Sequence, residues 1–259
     1  MRGSRHPFLF LSVVAVVSIP YFLLGTAHTG VHIGAMRLPA SAVMVTVPVL
    51  AASGLVWRES GASGVAALVG RTVDRPPARW GWYVLSIALA PVIGGISVAV
   101  LRIANETGPA QPLSLAAIPG VTAVFMVAAT CEELGWTIYA TDELQARFGL
   151  IRTGLGLGVF WAAWHLVPLW QAGHPMRWIG GWFLGTVAVR VLIVWLHDRS
   201  GGSAGVAILL HTMVNVTAAY TPGLDSTAFA IVSGAVTAAA VLAALWVSPV
   251  HQTGTADKA

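Results

Sequence analysis

Apolar runs of about twenty residues recur along the whole chain, and nothing else in the sequence limits its fold as strongly. They lie near 7–25, 38–57, 80–101, 113–140, 153–171, 178–196, 204–220 and 226–248. A helix needs roughly 20 apolar residues to cross the ~30 Å hydrocarbon layer. In lipid only helices and closed barrels satisfy their own backbone hydrogen bonds. The runs therefore predict an all-α integral membrane protein, a bundle of about eight transmembrane helices forming one domain over 1–259. Composition agrees: 56% of residues are hydrophobic and 9% charged, whereas a soluble domain carries about 25% charged residues. Mean hydropathy is +0.77.

Arginine placement predicts the orientation. Arg2 and Arg5 precede the first run, which reads as an uncleaved span rather than a leader ending at Gly25-Thr26-Ala27. With the N-terminus in the cytoplasm, the inner segments hold Arg2, Arg5, Arg58, Arg71, Arg75, Arg79, Arg147, Arg152, Arg199 and Lys258, and the outer ones only Arg37, Arg102 and Arg177. This is a positive-inside bias, and it predicts a multi-pass protein of the cytoplasmic membrane of a prokaryote-like cell. The net charge of +4 does not signal nucleic acid, because the cations stand singly at the ends of apolar runs. Trp57, Trp80, Trp82, Trp170, Trp178 and Trp195 are expected to form an aromatic belt at span ends. The connection 58–79 predicts a short surface helix and then a stiff turn at Pro76-Pro77. Gly154, Gly156 and Gly158, and then Gly181 and Gly185, suit close helix packing. The tail 249–259 is polar and expected to be disordered. The single cysteine, Cys131, excludes an internal disulfide and a cysteine-based zinc framework.

Against this apolar background the polar residues stand out. Glu132 and Glu133 sit side by side in the fourth run, where a charged acid costs roughly 2.5–3.5 kcal/mol at a helix centre. The fifth run carries His165, the sixth Arg190, and the seventh His211 and Asn215, four residues apart and so on one helix face. Counting 1.5 Å per residue from the inner end of each run puts Glu132 about 14 Å deep, His211 about 12, Asn215 about 18, His165 about 20 and Arg190 about 10. The runs alternate in direction, yet these residues all fall within one band about 10 Å thick, read here as one level. A carboxylate pair, two histidines and an asparagine at one depth fit general-base chemistry in a wet pocket. The carboxylate takes a proton from water while a histidine holds that water. A second histidine and an amide can donate to the oxyanion formed on a carbonyl.

Three motifs, EELGW at 132–136, the aromatic-xxx-His of Trp161 to His165, and the HxxxN of His211 to Asn215, resemble those of the CPBP family. These are intramembrane proteases related to the CAAX prenyl endopeptidase of the Rce1 type and to the Abi bacteriocin-immunity proteins. The resemblance covers about 80–220, the motif-bearing core. It implies that Glu132 activates water, that His165 shares that water, that Glu133 is a second, orienting carboxylate, and that His211 and Asn215 form the oxyanion hole. Trp136 and Trp161 are supporting positions. The family has been described both as metal-dependent and as a metal-free glutamate protease. Glu132, His165 and His211 are an adequate zinc set, and HExxH is absent. Metal-free chemistry is the preferred reading. The implied partners are a peptide or membrane-protein substrate and the lipid bilayer.

In one place the sequence departs from that pattern. The family's first motif usually runs EExxxR, and here Thr137 and Ile138 stand where the arginine and its follower would be. Arg190, at nearly the same depth, is expected to supply the missing cation from the neighbouring span. The alternative is a non-catalytic relative, an immunity factor or adaptor that binds a peptide in the same cavity. Gly61-Ala62-Ser63-Gly64 also fits the G-x-S-G of rhomboid-type serine proteases, but Ser63 falls in a connection beside Arg58 and Glu59 rather than in a span.

Overall fold

The computed structural model describes residues 5–27, 30–74, 77–106 and 114–247. Arg2, Arg75 and Lys258 of the charge pattern, Pro76, and the tail 249–259 lie outside the described residues.

Ten α-helices make up most of the described chain: α1 (Pro7–Val17), α2 (Ile19–Ala27), α3 (Val47–Gly70), α4 (Trp80–Ile103), α5 (Ile118–Glu133), α6 (Asp142–Trp164), α7 (Leu166–Gln171), α8 (Met176–Arg199), α9 (Ala204–Tyr220) and α10 (Thr227–Val247). The exception to an all-helical reading is a small antiparallel hairpin of β1 (Val31–Ile33) and β2 (Met36–Leu38), with Ile33 opposite Met36. It falls between the first two apolar runs, where the chain is free of the demands of lipid.

Among the described residues, six helical runs are long and apolar enough to cross a membrane. One of these, Leu115–Gln171, is 57 residues long, which would measure about 85 Å if straight. It does not run straight, because Gly149 breaks it at φ 76° and ψ 169°, a left-handed conformation that glycine adopts without steric cost. The long run is thus two passages, and with the shorter apolar α9 the bundle approaches the expected eight. Gly61, at φ 61°, breaks α3 in the same way. The piece beyond it is largely exposed up to Gly70, as the expected surface helix requires.

α8 is the central helix. Its apolar window is 61% buried against 17–39% for the other candidate spans. It packs along α6 on one side and α10 on the other. The small residues explain how closely. A Cβ on Gly181 would meet the Ala230 backbone at 2.7 Å, and one on Gly185 would meet Gly234 Cα at 3.3 Å. Gly156, expected to pack in the same manner, faces open space. The aromatic belt also needs amending. Trp57, Trp80 and Trp170 are exposed at helix ends, whereas Trp178 and Trp195 are buried. Trp178 Nε1 donates to Leu224 O at 2.8 Å and its ring stacks on His174, 3.7 Å between centroids.

Candidate active site

Glu132 and Glu133 close α5. The next eight residues, Leu134–Thr141, are wound as a π-helix in which every residue is buried. Such stretches are rare and frequent at functional sites. Here Thr141 Oγ1 donates to Trp136 O at 2.8 Å. Arg71 Nη1 donates to Ile138 O at 2.8 Å, and Arg5 donates to the same carbonyl. The segment that follows the carboxylates is therefore pinned by Arg71, just after α3, and by Arg5, before α1.

The two glutamates are held in different ways. Glu133 is fully buried and fully engaged. Its Oε1 accepts from Arg190 Nη2 at 2.9 Å and from His211 Nδ1 at 2.7 Å. Its Oε2 accepts from Arg190 Nη1 at 2.8 Å and from Thr137 Oγ1. All the neighbours are donors, so the group they surround is the carboxylate anion, and a two-pronged guanidinium is its strongest partner. Glu132, 3% exposed, uses only Oε2, which accepts from Trp136 Nε1 at 3.1 Å and Trp161 Nε1 at 2.7 Å. Its Oε1 has no hydrogen-bond partner among the described residues.

Trp161 is the hub of the cluster. Besides its bond to Glu132, its carbonyl accepts from His165 Nδ1 at 2.8 Å. Its ring lies edge-on to His165 at 5.7 Å and to His211 at 5.0 Å. The Arg190 guanidinium sits 4.3 Å from its ring centroid, inside cation–π range. His165 is further fixed by Trp164, 4.9 Å away, and Trp182, 5.5 Å away. Both histidines thus commit Nδ1 as a donor, and neither Nε2 has a hydrogen-bond partner among the described residues. Asn215, one turn along α9 from His211, is half-buried and makes no side-chain hydrogen bond among the described residues.

The approach of α8 to α5 depends on α6. A Cβ on Gly158 would meet Val187 Cα and O at 3.0 Å and Arg190 Cβ at 3.2 Å. One on Gly154 would meet Val191 Cα at 3.0 Å. Two glycines four residues apart therefore let the helix carrying Arg190 come close enough to reach Glu133.

Placement of the expected residues follows from these contacts. Glu132, Glu133, His165, His211, Arg190, Trp136 and Trp161 share one contiguous network, and Asn215 flanks it. Thr137, expected only as a gap in the motif, is itself a donor to Glu133. Its signal in the sequence is its place four residues after that glutamate, which sets the two side chains one above the other. Among the described residues no three His, Cys, Asp or Glu side chains are grouped to hold a metal ion, and in the optional metal set of Glu132, His165 and His211 the hydrogen bonds engage Glu132 Oε2 and the two Nδ1 atoms. Among the described residues Ser63 Oγ donates to Ser60 O in its own helix, 3.1 Å away, on an exposed surface.

A helical bundle with an ionisable cluster walled between its spans is the class of protein these features define, a polytopic all-α membrane protein with a buried polar site. Residues 114–217 match the family model described as type II CAAX prenyl endopeptidase Rce1-like, a segment that contains all three motifs. Over 102 residues the chain is also 32% identical to CAAX prenyl protease 2 of Methanococcus maripaludis. That match covers 36% of this chain and 37% of the relative. Both matches fall on the motif-bearing core, which is thus similar to the CAAX prenyl endopeptidases over less than half of the chain.

Proposed function

We propose that the chain is an intramembrane endopeptidase that hydrolyses a peptide bond of a peptide or membrane-protein substrate. The match to a family of CAAX prenyl endopeptidases supports this reading, and the unequal holding of the two glutamates carries it. A carboxylate with all its lone pairs engaged cannot accept a proton from water, and one with a free oxygen can. Glu133 is the first kind and Glu132 the second.

In the proposed reaction, water lies between Glu132 Oε1 and His165 Nε2, and Glu132 takes its proton as the water oxygen bonds to the scissile carbonyl carbon. The oxyanion receives hydrogen bonds from His211 Nε2 and the Asn215 amide. Because His211 Nδ1 already donates to Glu133, donation from Nε2 requires the imidazolium. The buried charges then balance, with Glu132 and Glu133 against Arg190 and His211, as a water-poor site demands. Glu132 returns its proton to the leaving amine nitrogen as the C–N bond breaks. No step passes through a metal. The excess of arginines at the end bearing Arg5, Arg71 and Asp142 supports a cytoplasmic N-terminus and a cavity opening to the cytosol of a cell-membrane protein. The missing motif arginine favoured the non-catalytic alternative, and the pairing of Arg190 with Glu133 supports the catalytic reading instead.

The test uses purified protein in detergent with a quenched fluorescent CAAX peptide, prenylated and unprenylated. Wild type is expected to cut at least one of them, and Glu132→Gln to lose at least about 1,000-fold in kcat, as loss of an essential general base together with its water site would cause. Cleavage by Glu132→Gln at the wild-type rate would refute the assignment.

A further inference from the structure

Residues 125–141, which carry both glutamates, contain no lysine or arginine. A buried anion in such a segment must find its countercharge on another helix. The cation that reaches it, Arg190 of α8, is fully buried, and it does more than neutralise. Two of its nitrogens fork onto the two oxygens of Glu133. The Cζ of the same guanidinium lies 4.3 Å from the centre of the Trp161 ring, and Trp161 is the residue whose Nε1 donates to Glu132 at 2.7 Å. One side chain therefore touches the partner of each glutamate or the glutamate itself.

We propose that Arg190 is the positioning residue of the site, serving Glu133 directly and Glu132 through Trp161. Planarity is the reason an arginine is needed. A guanidinium presents a fork in its plane and a stacking surface across it, whereas a lysine ammonium is a point charge that can do neither. Arg190 Nε has no partner among the described residues, so the side chain accepts an unsatisfied donor to keep this double engagement. Gly154 and Gly158 are part of the same device, because a Cβ at 158 would press on Arg190 Cβ. The activity half of this inference rests on the proposed hydrolase reading, while the charge-pairing half does not.

Two measurements test it. The first needs no substrate: thermal unfolding of wild type, Arg190→Met, Glu133→Gln and the double variant. Arg190→Met is expected to unfold well below wild type because it strands the Glu133 anion. Adding Glu133→Gln is expected to recover most of that loss. Additive losses in the double variant would overturn the pairing. The second is cleavage of the CAAX peptide. Arg190→Lys keeps the charge and is expected to retain the fold, while kcat falls at least tenfold with KM little changed. Trp161→Phe is expected to lower kcat similarly, and the Arg190→Lys/Trp161→Phe double variant to fall no further than the more damaged single. Wild-type kcat in Arg190→Lys, or independent multiplying losses in the double variant, would overturn the positioning role. Should wild type cut neither peptide, the hydrolase reading and the positioning role built on it fall together, and the unfolding comparison still decides the pairing.

Discussion

The molecule builds nearly the same ionic unit twice, once in the dry centre and once at its edge. At the centre Glu133 lies between Arg190 and His211, with side-chain exposures of 0%, 0% and 3%. At the edge Asp142 lies between Arg71 Nη2 at 2.8 Å and His197 Nε2 at 3.0 Å. There the carboxylate is 45% exposed and the arginine 36%. Beside the edge unit is an open hollow of about 350 Å³ lined by Asp142, Gln145, Ala146, His197, Asp198 and Gly202. Residue types and distances are alike, so what separates the two is water. At the edge, water reaches the carboxylate and the arginine, though His197 is 2% exposed, and the unit ties the start of α6 to the end of α8. At the centre nothing can replace a partner, so each charge commits the others. A buried ion set is a poor way to gain stability, since well-packed apolar residues do as well or better. Its presence between three helices fits the proposed catalytic role better than a role in stability.

The largest expected effect that would break this contrast belongs to Glu133→Ala. It leaves Arg190 and His211 facing each other unpaired and should cost about 3–5 kcal/mol, seen as a collapse of folded yield and unfolding temperature. A change of only a degree or two would mean that water enters the centre after all. Gly158→Val ranks next. Forcing α6 and α8 apart should cost about 1–3 kcal/mol by overpacking, and it should lower kcat of the CAAX peptide by more than Gly156→Val, which faces open space. Equal effects at 156 and 158 would separate the helix contact from the site. Arg71→Ala at the edge should cost less than about 1 kcal/mol, and high salt should shrink the difference between it and wild type. A loss as large as that of Glu133→Ala would erase the distinction between the two units. The smallest effect is expected from Ser63→Ala, which should cut the peptide at the wild-type rate.

Much of the site could be read from spacing because a membrane makes polar residues costly, and costly residues are informative. Glu132, Glu133, His165, Arg190 and His211 stood out as interruptions of apolar runs, and counting helix rise placed them at one level. The convergence of Arg190 on Glu133 followed from the same count. Other features were not legible. Nothing in LGWTIYAT announces a π-helix, since residues that wind as π are equally at home in an α-helix. Trp161 was recognisable as a motif member but not as the hub, because only its ring orientation brings Glu132, His165, His211 and Arg190 into contact with it. Trp178 and Trp195 misled for a related reason. A tryptophan near a span end suits the membrane interface, and only packing reveals that these two face inward.

The sequence by itself determined that the chain is a multi-span helical protein, where its spans lie within a few residues, and which side chains are too polar to face lipid. Those properties follow from hydropathy and helix rise, both local and additive along the chain. Tertiary structure alone decided how differently two adjacent glutamates are held. Which of them is saturated and which keeps a free oxygen depends on donors from α6, α8 and α9 and on a glycine contact that lets α8 approach. Such short-range, directional bonds between distant segments have no expression in a one-dimensional pattern.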